Sequence, residues 1–183
     1  MEQVSFTQMK DGTREEYEFL MGHEQAYIEA LPARIMTLLS QLGDTLDGYT
    51  VSRLEHSLQS ATRAEADGCD EEMVVAALLH DIGDMFAPAN HSELAAAIMR
   101  PYVRPEIAWI LEKHGEFQMY YWAGQVGKNP DVRDKYKGHP FYEAAVNFCE
   151  KYDQNCFDPD YPSKPLSYFE PMVYRVMGKP KYF

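Results

Sequence analysis

The sequence predicts an all-α fold, a compact helical bundle, and three observations carry that prediction. Apolar residues recur three and four positions apart through most of the 183 residues. No alternating run of useful strand length interrupts them. Gly, Pro and Asp fall at the joints between the periodic stretches. In chain order, Glu15 to Gln25 and Tyr27 to Gln41 are predicted helices, with Leu31, Ile35, Leu38 and Leu39 inward and Pro32 tolerable near a start. Gly48 breaks the chain, and Val51 to Asp67 resumes with Leu54, Leu58 and Ala61 on one stripe. The run Asp67-Gly68-Cys69-Asp70 reads as a helix-ending glycine followed by an N-cap aspartate, opening Glu71 to Asp81. Asn90 to Met99 is short and closed by Pro101. Pro105 opens Glu106 to Lys113, which places His114 at a helix end just before Gly115. Pro140 opens a helix to about Asp153, and one short helix is expected near Ser167 to Met177 in a Pro- and aromatic-rich tail.

Composition narrows the function classes. A chain of this length buries one core, so one domain over 1–183 is expected, with N-terminal helices at 15–41, a central core at 48–153 and the tail at 157–183. No run of 18 apolar residues is present, and Met1 to Arg14 is polar, so neither a membrane span nor a signal peptide is expected. Cys69, Cys149 and Cys156 lack CxxC spacing and fit reduced thiols of a cytoplasmic protein. The net charge of -12 argues against nucleic acid as a partner. It also requires that an anionic substrate be met by a local basic pocket. The ten methionines and Trp109 read as core filling. Tyr161, Tyr168, Phe169 and Met172 are expected to fold back as a lid or to pack on a second subunit of a homodimer.

The chemistry concentrates at His80-Asp81. The apolar run Met73 to Leu79 delivers an imidazole and a carboxylate side by side, and the chain then turns at Gly83. Burying both is costly unless something pairs with them, and a divalent cation uses both at once. Adjacent helical residues diverge by about 100°, so one metal can take His80 while Asp81 turns to a bridging position. His56 lies upstream, and His91, His114 and Asp153 follow, each on a different predicted element, as in metal sites built in bundle cores. Four His and two Asp give nitrogen–oxygen coordination, suited to iron, manganese, zinc or nickel. His23 and His139 read as ordinary histidines.

The order His…His-Asp…His…His…Asp resembles the ligand set of the HD-domain superfamily in its dinuclear form. More narrowly, Leu54-Glu55-His56-Ser57-Leu58-Gln59 followed by Ala76-Ala77-Leu78-Leu79-His80-Asp81-Ile82-Gly83 resembles the phosphonate-degrading HD-domain oxygenases. These are mixed-valent diiron enzymes related to myo-inositol oxygenase. The resemblance implies two iron ions and dioxygen as co-substrate. One iron would take His56, His80, Asp81 and Asp153, the other Asp81, His91 and His114, with Asp81 bridging and His80 and Asp81 at the centre of catalysis. The reaction implied is oxidative cleavage of the C–P bond of a small-molecule 1-hydroxyphosphonate.

Two departures bear on substrate. Family members acting on hydroxylated 2-aminoethylphosphonate carry a second His three residues after the dyad and a Lys four residues after the fourth His. Both contact the phosphonate. Those positions here are Asp84 and Gln118. Anion partners are sought instead in the basic run Lys128 to His139, with Arg133 and Lys137 as candidates. The segment Phe117 to Trp122 is aromatic-dense, and aromatic faces attract quaternary ammonium groups. With Tyr121 as the aromatic contact and Asp84 facing the cationic head, the expected substrate is (R)-1-hydroxy-2-(trimethylammonio)ethylphosphonate, giving glycine betaine and phosphate. Two other classes stay open: a metal-dependent phosphohydrolase acting on a phosphoester, and a silent protein keeping its metals for structure.

Overall fold

The computed structural model describes residues 2–44 and 47–182; Met1, Thr45, Leu46 and Phe183, though inside the expected 1–183 span, lie outside the described residues. The described chain is all-α: α1 (Arg14–Glu29), α2 (Leu31–Gln41), α3 (Arg53–Ala66), α4 (Glu71–Leu79), α5 (His91–Met99), α6 (Pro105–Trp122), α7 (Tyr142–Tyr152) and α8 (Leu166–Met177), with short 3-10 turns between some of them. No helix among the described residues is long and apolar enough to cross a membrane.

Local chemistry sets most helix starts. Thr13 accepts from the Glu16 amide and Glu16 reaches back to the Thr13 amide, a capping box that opens α1. Ser52 caps α3 through the Glu55 amide, and Asp70 caps α4 through the Met73 amide. Gly68, just past α3, sits at φ +78°, as the sequence suggests.

Three boundaries differ from the sequence expectation. The first two helices divide at Ala30, not near Gln25, so α1 runs unbroken through Tyr27. Nothing between Gln25 and Tyr27 breaks a helix, whereas the Pro32 ring excludes the carbonyl four residues back. Secondly, α6 does not stop at Lys113; it continues for nine residues to Trp122, so His114 is mid-helix and Gly115 is interior. Burial of Ile107, Ile110, Leu111, His114 and Phe117 along one face outweighs the roughly 1 kcal/mol that an interior glycine costs. Thirdly, Pro140 lies in the turn before α7 rather than opening it.

The core runs from α2 to α8. Helix α4 is its axis, with Val74 to Leu79 buried in an unbroken run. Helix α3 packs on α4 and α7, α6 on α5 and α7, and α8 across α2 and α4. Phe169, Val173, Val176 and Met177 of α8 are fully buried, so this part of the tail completes the core rather than forming a lid. Tyr161 instead lies under the Arg63 guanidinium, and Tyr168 bonds Glu65. Helix α1 contributes no apolar residue to the buried core; Glu16 is its one buried side chain.

Candidate metal centre

The six expected ligands converge. His56 lies in the first turn of α3, His80 ends α4, Asp81 begins the 3-10 turn after it, and His91 is the first residue of α5. His114 comes from the middle of α6, and Asp153 sits at the C-terminal cap of α7. His56, His80, Asp81, His114 and Asp153 are almost fully buried, while His91 keeps a quarter of its side chain exposed.

Two close approaches make the convergence possible. A Cβ on Gly83 would lie 2.2 Å from the His91 carbonyl oxygen, so only glycine lets the turn after the dyad press against the start of α5. A Cβ on Gly115 would lie 2.8 Å from Ser92 Oγ and in ordinary contact, 3.8 Å, with His91 Nε2, so the interior glycine of α6 gives room to the Ser92 hydroxyl beside His91.

The donors form two groups joined by one carboxylate. His56 Nε2 and His80 Nε2 are 2.9 Å apart, and Asp153 Oδ1 lies 3.3 and 3.6 Å from them. His91 Nε2 and His114 Nε2 are 3.3 Å apart. Asp81 stands between: its Oδ2 is 3.5 Å from both His56 Nε2 and His80 Nε2, and its Oδ1 is 3.4 Å from both His91 Nε2 and His114 Nε2. Donors about 2.0–2.2 Å from a shared cation sit about 2.9–3.6 Å from one another at octahedral or tetrahedral angles, the spacing found here. The donor chemistry fits as well. His80 Nδ1 and His114 Nδ1 each lie 2.7 Å from a carbonyl oxygen one turn back, of Ala77 and Leu111, and His56 Nδ1 lies 3.0 Å from the Cys156 carbonyl. Each Nδ1–H donating in that way leaves the Nε2 lone pair aimed inward, the second-sphere arrangement that orients metal-bound histidines. Asp153 Oδ2 is buried without a hydrogen-bond partner, a spare ligand atom.

Electrostatics agree. Burial pushes the Asp81 and Asp153 carboxyls up, yet the surrounding imidazoles, with Arg53 beside Asp81, hold both well below the ordinary carboxylate range. Both are therefore available as anionic ligands. Against burial, Asp153 and Asp81 raise His56 and His80; a cation would displace the proton so held. His91 is lowered, chiefly by burial, toward the neutral form that ligates.

A cleft of about 430 Å³ opens onto the His91/His114 side. Asp81, Asp153, Gln118, Tyr121 and Trp122 line it, together with three residues the sequence reading did not single out: Arg53, Tyr49 and Phe157. Phe157 stacks on the His56 ring at 4.5 Å and on Tyr49 at 5.2 Å, roofing the first ligand group. Arg53 reaches Asp81 Oδ2 at 3.0 Å and Asp84 Oδ2 at 2.9 Å. It sits three positions before His56 on the same helix face, a spacing that could have flagged it.

Other expected contacts fall elsewhere. Asp84 does not line the cleft; its carboxylate is engaged by Arg53 and by His91 Nδ1 at 3.4 Å. Arg133 lies over the Tyr120 ring and beside the cleft-lining Tyr121, behind the lining rather than on it, with Nη1 buried and unpartnered; Lys137 is exposed and paired with Asp134. Phe117 is core, packed with Trp109, Tyr136 and Tyr142. His139 stacks on Trp109, away from the ligands.

Two comparisons bear on this geometry. Residues 53–146, just over half of the chain, match the HD domain. The 1-hydroxy-2-(trimethylamino)ethylphosphonate dioxygenase (glycine-betaine-forming) of Leisingera caerulea is similar to this chain, 58% identical over 36 residues. That match spans 20% of this chain and 18% of the dioxygenase.

Proposed function

This chain belongs to the HD-domain family, whose members are typically metal-dependent enzymes, and from that premise we propose that it is a diiron oxygenase cleaving the C–P bond of a 1-hydroxyphosphonate. The substrate proposed is (R)-1-hydroxy-2-(trimethylammonio)ethylphosphonate. One dioxygen is consumed; C1 leaves as the carboxylate of glycine betaine, and phosphorus leaves as phosphate with one proton released. The observation that carries the reading is the division of Asp81, one oxygen toward His56 and His80 and the other toward His91 and His114.

Two iron ions bound there would supply dioxygen activation and a Lewis acid for the substrate oxygens. The protein side of the site is unequal. His56, His80, Asp81 and Asp153 offer four ligands to one position, and Asp81, His91 and His114 offer three to the other. The three-ligand position faces the cleft, where exogenous molecules have access. Tyr49, Tyr121, Trp122 and Phe157 give the cleft aromatic walls. A trimethylammonium group donates no hydrogen bonds and gains from such faces, each contact being worth about 0.5–2 kcal/mol. The short stretch shared with the Leisingera caerulea dioxygenase supports the same substrate.

The test is a comparison of substrates on reduced, iron-loaded protein. The trimethylated compound is expected to show the higher kcat/KM, and Tyr121→Ala to narrow that preference by about two- to thirtyfold, the equivalent of one cation–π contact. Equal or better turnover of the primary amine would refute the substrate assignment. Phosphoester hydrolysis by manganese- or nickel-loaded protein, without dioxygen, would move the case to a phosphohydrolase.

A further inference from the structure

The two basic positions that the resemblance implies for a phosphonate hold Asp84 and Gln118 here, and no residue of the basic run beyond α6 lines the cleft. The cleft nevertheless contains one guanidinium. We infer that Arg53 is the receptor for the tetrahedral –PO3 group and that Asp84 is a positioning residue, fixing Arg53 with one oxygen and His91 with the other. This deepens the proposed function and rests on it for the identity of the ligand.

Three features support the assignment. Arg53 is only 14% exposed as a side chain, yet it lines the cleft together with Asp81, His91 and His114. Its Nη1 pairs with Asp81 and its Nε faces Asp84 at 2.9 Å outside hydrogen-bond geometry, so that Nε is buried without a hydrogen bond, while no ion pair engages Nη2 among the described residues. A guanidinium flanked by carboxylates at Nη1 and Nε keeps Nη2 for a further oxyanion, the kind of group arginine is suited to hold. Next, the charge count favours an anion. Asp81, Asp84 and Asp153 outnumber Arg53 by two negative charges, and two divalent cations would reverse this to two positive, which a phosphonate dianion would balance.

Asp84 is the third feature. Its Oδ2 lies 2.9 Å from Arg53 Nε, and its Oδ1 lies 3.4 Å from His91 Nδ1. A carboxylate on the distal nitrogen of a ligating histidine fixes the ring and strengthens the ligand. Asp84 thereby ties anion capture to the three-ligand metal position. This differs from the sequence expectation that Asp84 faces a cationic head.

The experiment uses the full chain loaded with manganese and measures two quantities: the Kd of inorganic phosphate and of methylphosphonate, and metal affinity by chelator competition. Arg53→Ala is expected to weaken both anions by about 10- to 100-fold while two metals stay bound. Arg53→Lys keeps the charge without the fork and is expected to lie between, which holds the test open if the alanine variant misfolds. Asp84→Asn is expected to weaken the anions several-fold and one of the two metals by about tenfold, leaving the other unchanged. Unaltered anion Kd in Arg53→Lys, or unaltered anion and metal binding in Asp84→Asn, would overturn the respective assignment. The outcomes separate from those of the oxygenase reading. Anion binding lost in Arg53→Ala while the unaltered protein consumes no dioxygen refutes the oxygenase and keeps the receptor. Dioxygen-coupled turnover with unchanged KM and Kd in Arg53→Ala does the reverse.

Discussion

Replacing Gly83 with alanine adds a single methyl group, and the structure makes its consequence calculable. The added Cβ would lie 2.2 Å from the His91 carbonyl oxygen, 2.7 Å from its Cα and 2.8 Å from its carbonyl carbon. Relaxed carbon contacts are about 3.5–4.0 Å, so the His91 backbone must retreat by about 1 Å. The neighbour is backbone and cannot rotate away as a side chain tip would. Metal–ligand distances tolerate only about 0.2 Å, so the three-ligand position loses His91. The four-ligand position shares Asp81 with that turn, but its other three ligands, His56, His80 and Asp153, come from α3, α4 and α7 and lie outside that contact. Overpacking of this kind costs about 1–3 kcal/mol, which in a chain of this size lowers Tm by about 2–12 °C. Chelator competition and a melting curve on the same sample read both effects. One tight metal per chain with a weakened second is expected for Gly83→Ala. Two metals bound with unchanged affinity would refute the argument that glycine is required for the close approach of the two segments.

Further outcomes follow from other parts of the structure. Asp81→Ala removes the carboxylate that serves both groups, so metal content should fall below two per chain; two tightly bound metals would show that Asp81 is not the bridge. Glu16 is lowered to about 2 because it accepts from the Thr13 and Ser5 amides. Its anchoring of the N-terminal segment is fully present above its ordinary value of 4.5 and lost as pH falls through about 2. Amide exchange at Ser5 and Thr13 should rise over that window, and Glu16→Gln should abolish the dependence; exchange independent of pH beyond the intrinsic rate would refute it.

The ligand types and the all-α class were legible in the sequence because both rest on local signals: helical periodicity, caps, and buried imidazoles next to carboxylates. What was not legible came from contacts between distant segments. His114 read as a helix end because Gly115 carries a stop signal, whereas the buried face of α6 carries the helix through it and Ser92 packs where a side chain would stand. Arg53 went unread because an arginine in a first helical turn looks like a solvated residue; its meaning lies in Asp81 and Asp84, some thirty residues on. Phe157 stacks on both Tyr49 and His56, residues from opposite ends of the metal core, a juxtaposition no spacing rule contains. Lys137 misled for the converse reason: a basic run near the ligands in sequence is spent locally, on Asp134.

The central claim, that two metals bridged by Asp81 carry out oxygen-dependent C–P cleavage, is tested most directly by stoichiometry. Reduced, iron-loaded protein is given (R)-1-hydroxy-2-(trimethylammonio)ethylphosphonate in an oxygen electrode, with released phosphate measured in parallel. One dioxygen is expected to be consumed for each phosphate released, with no release under argon. Phosphate release that continues at the same rate without dioxygen would contradict it.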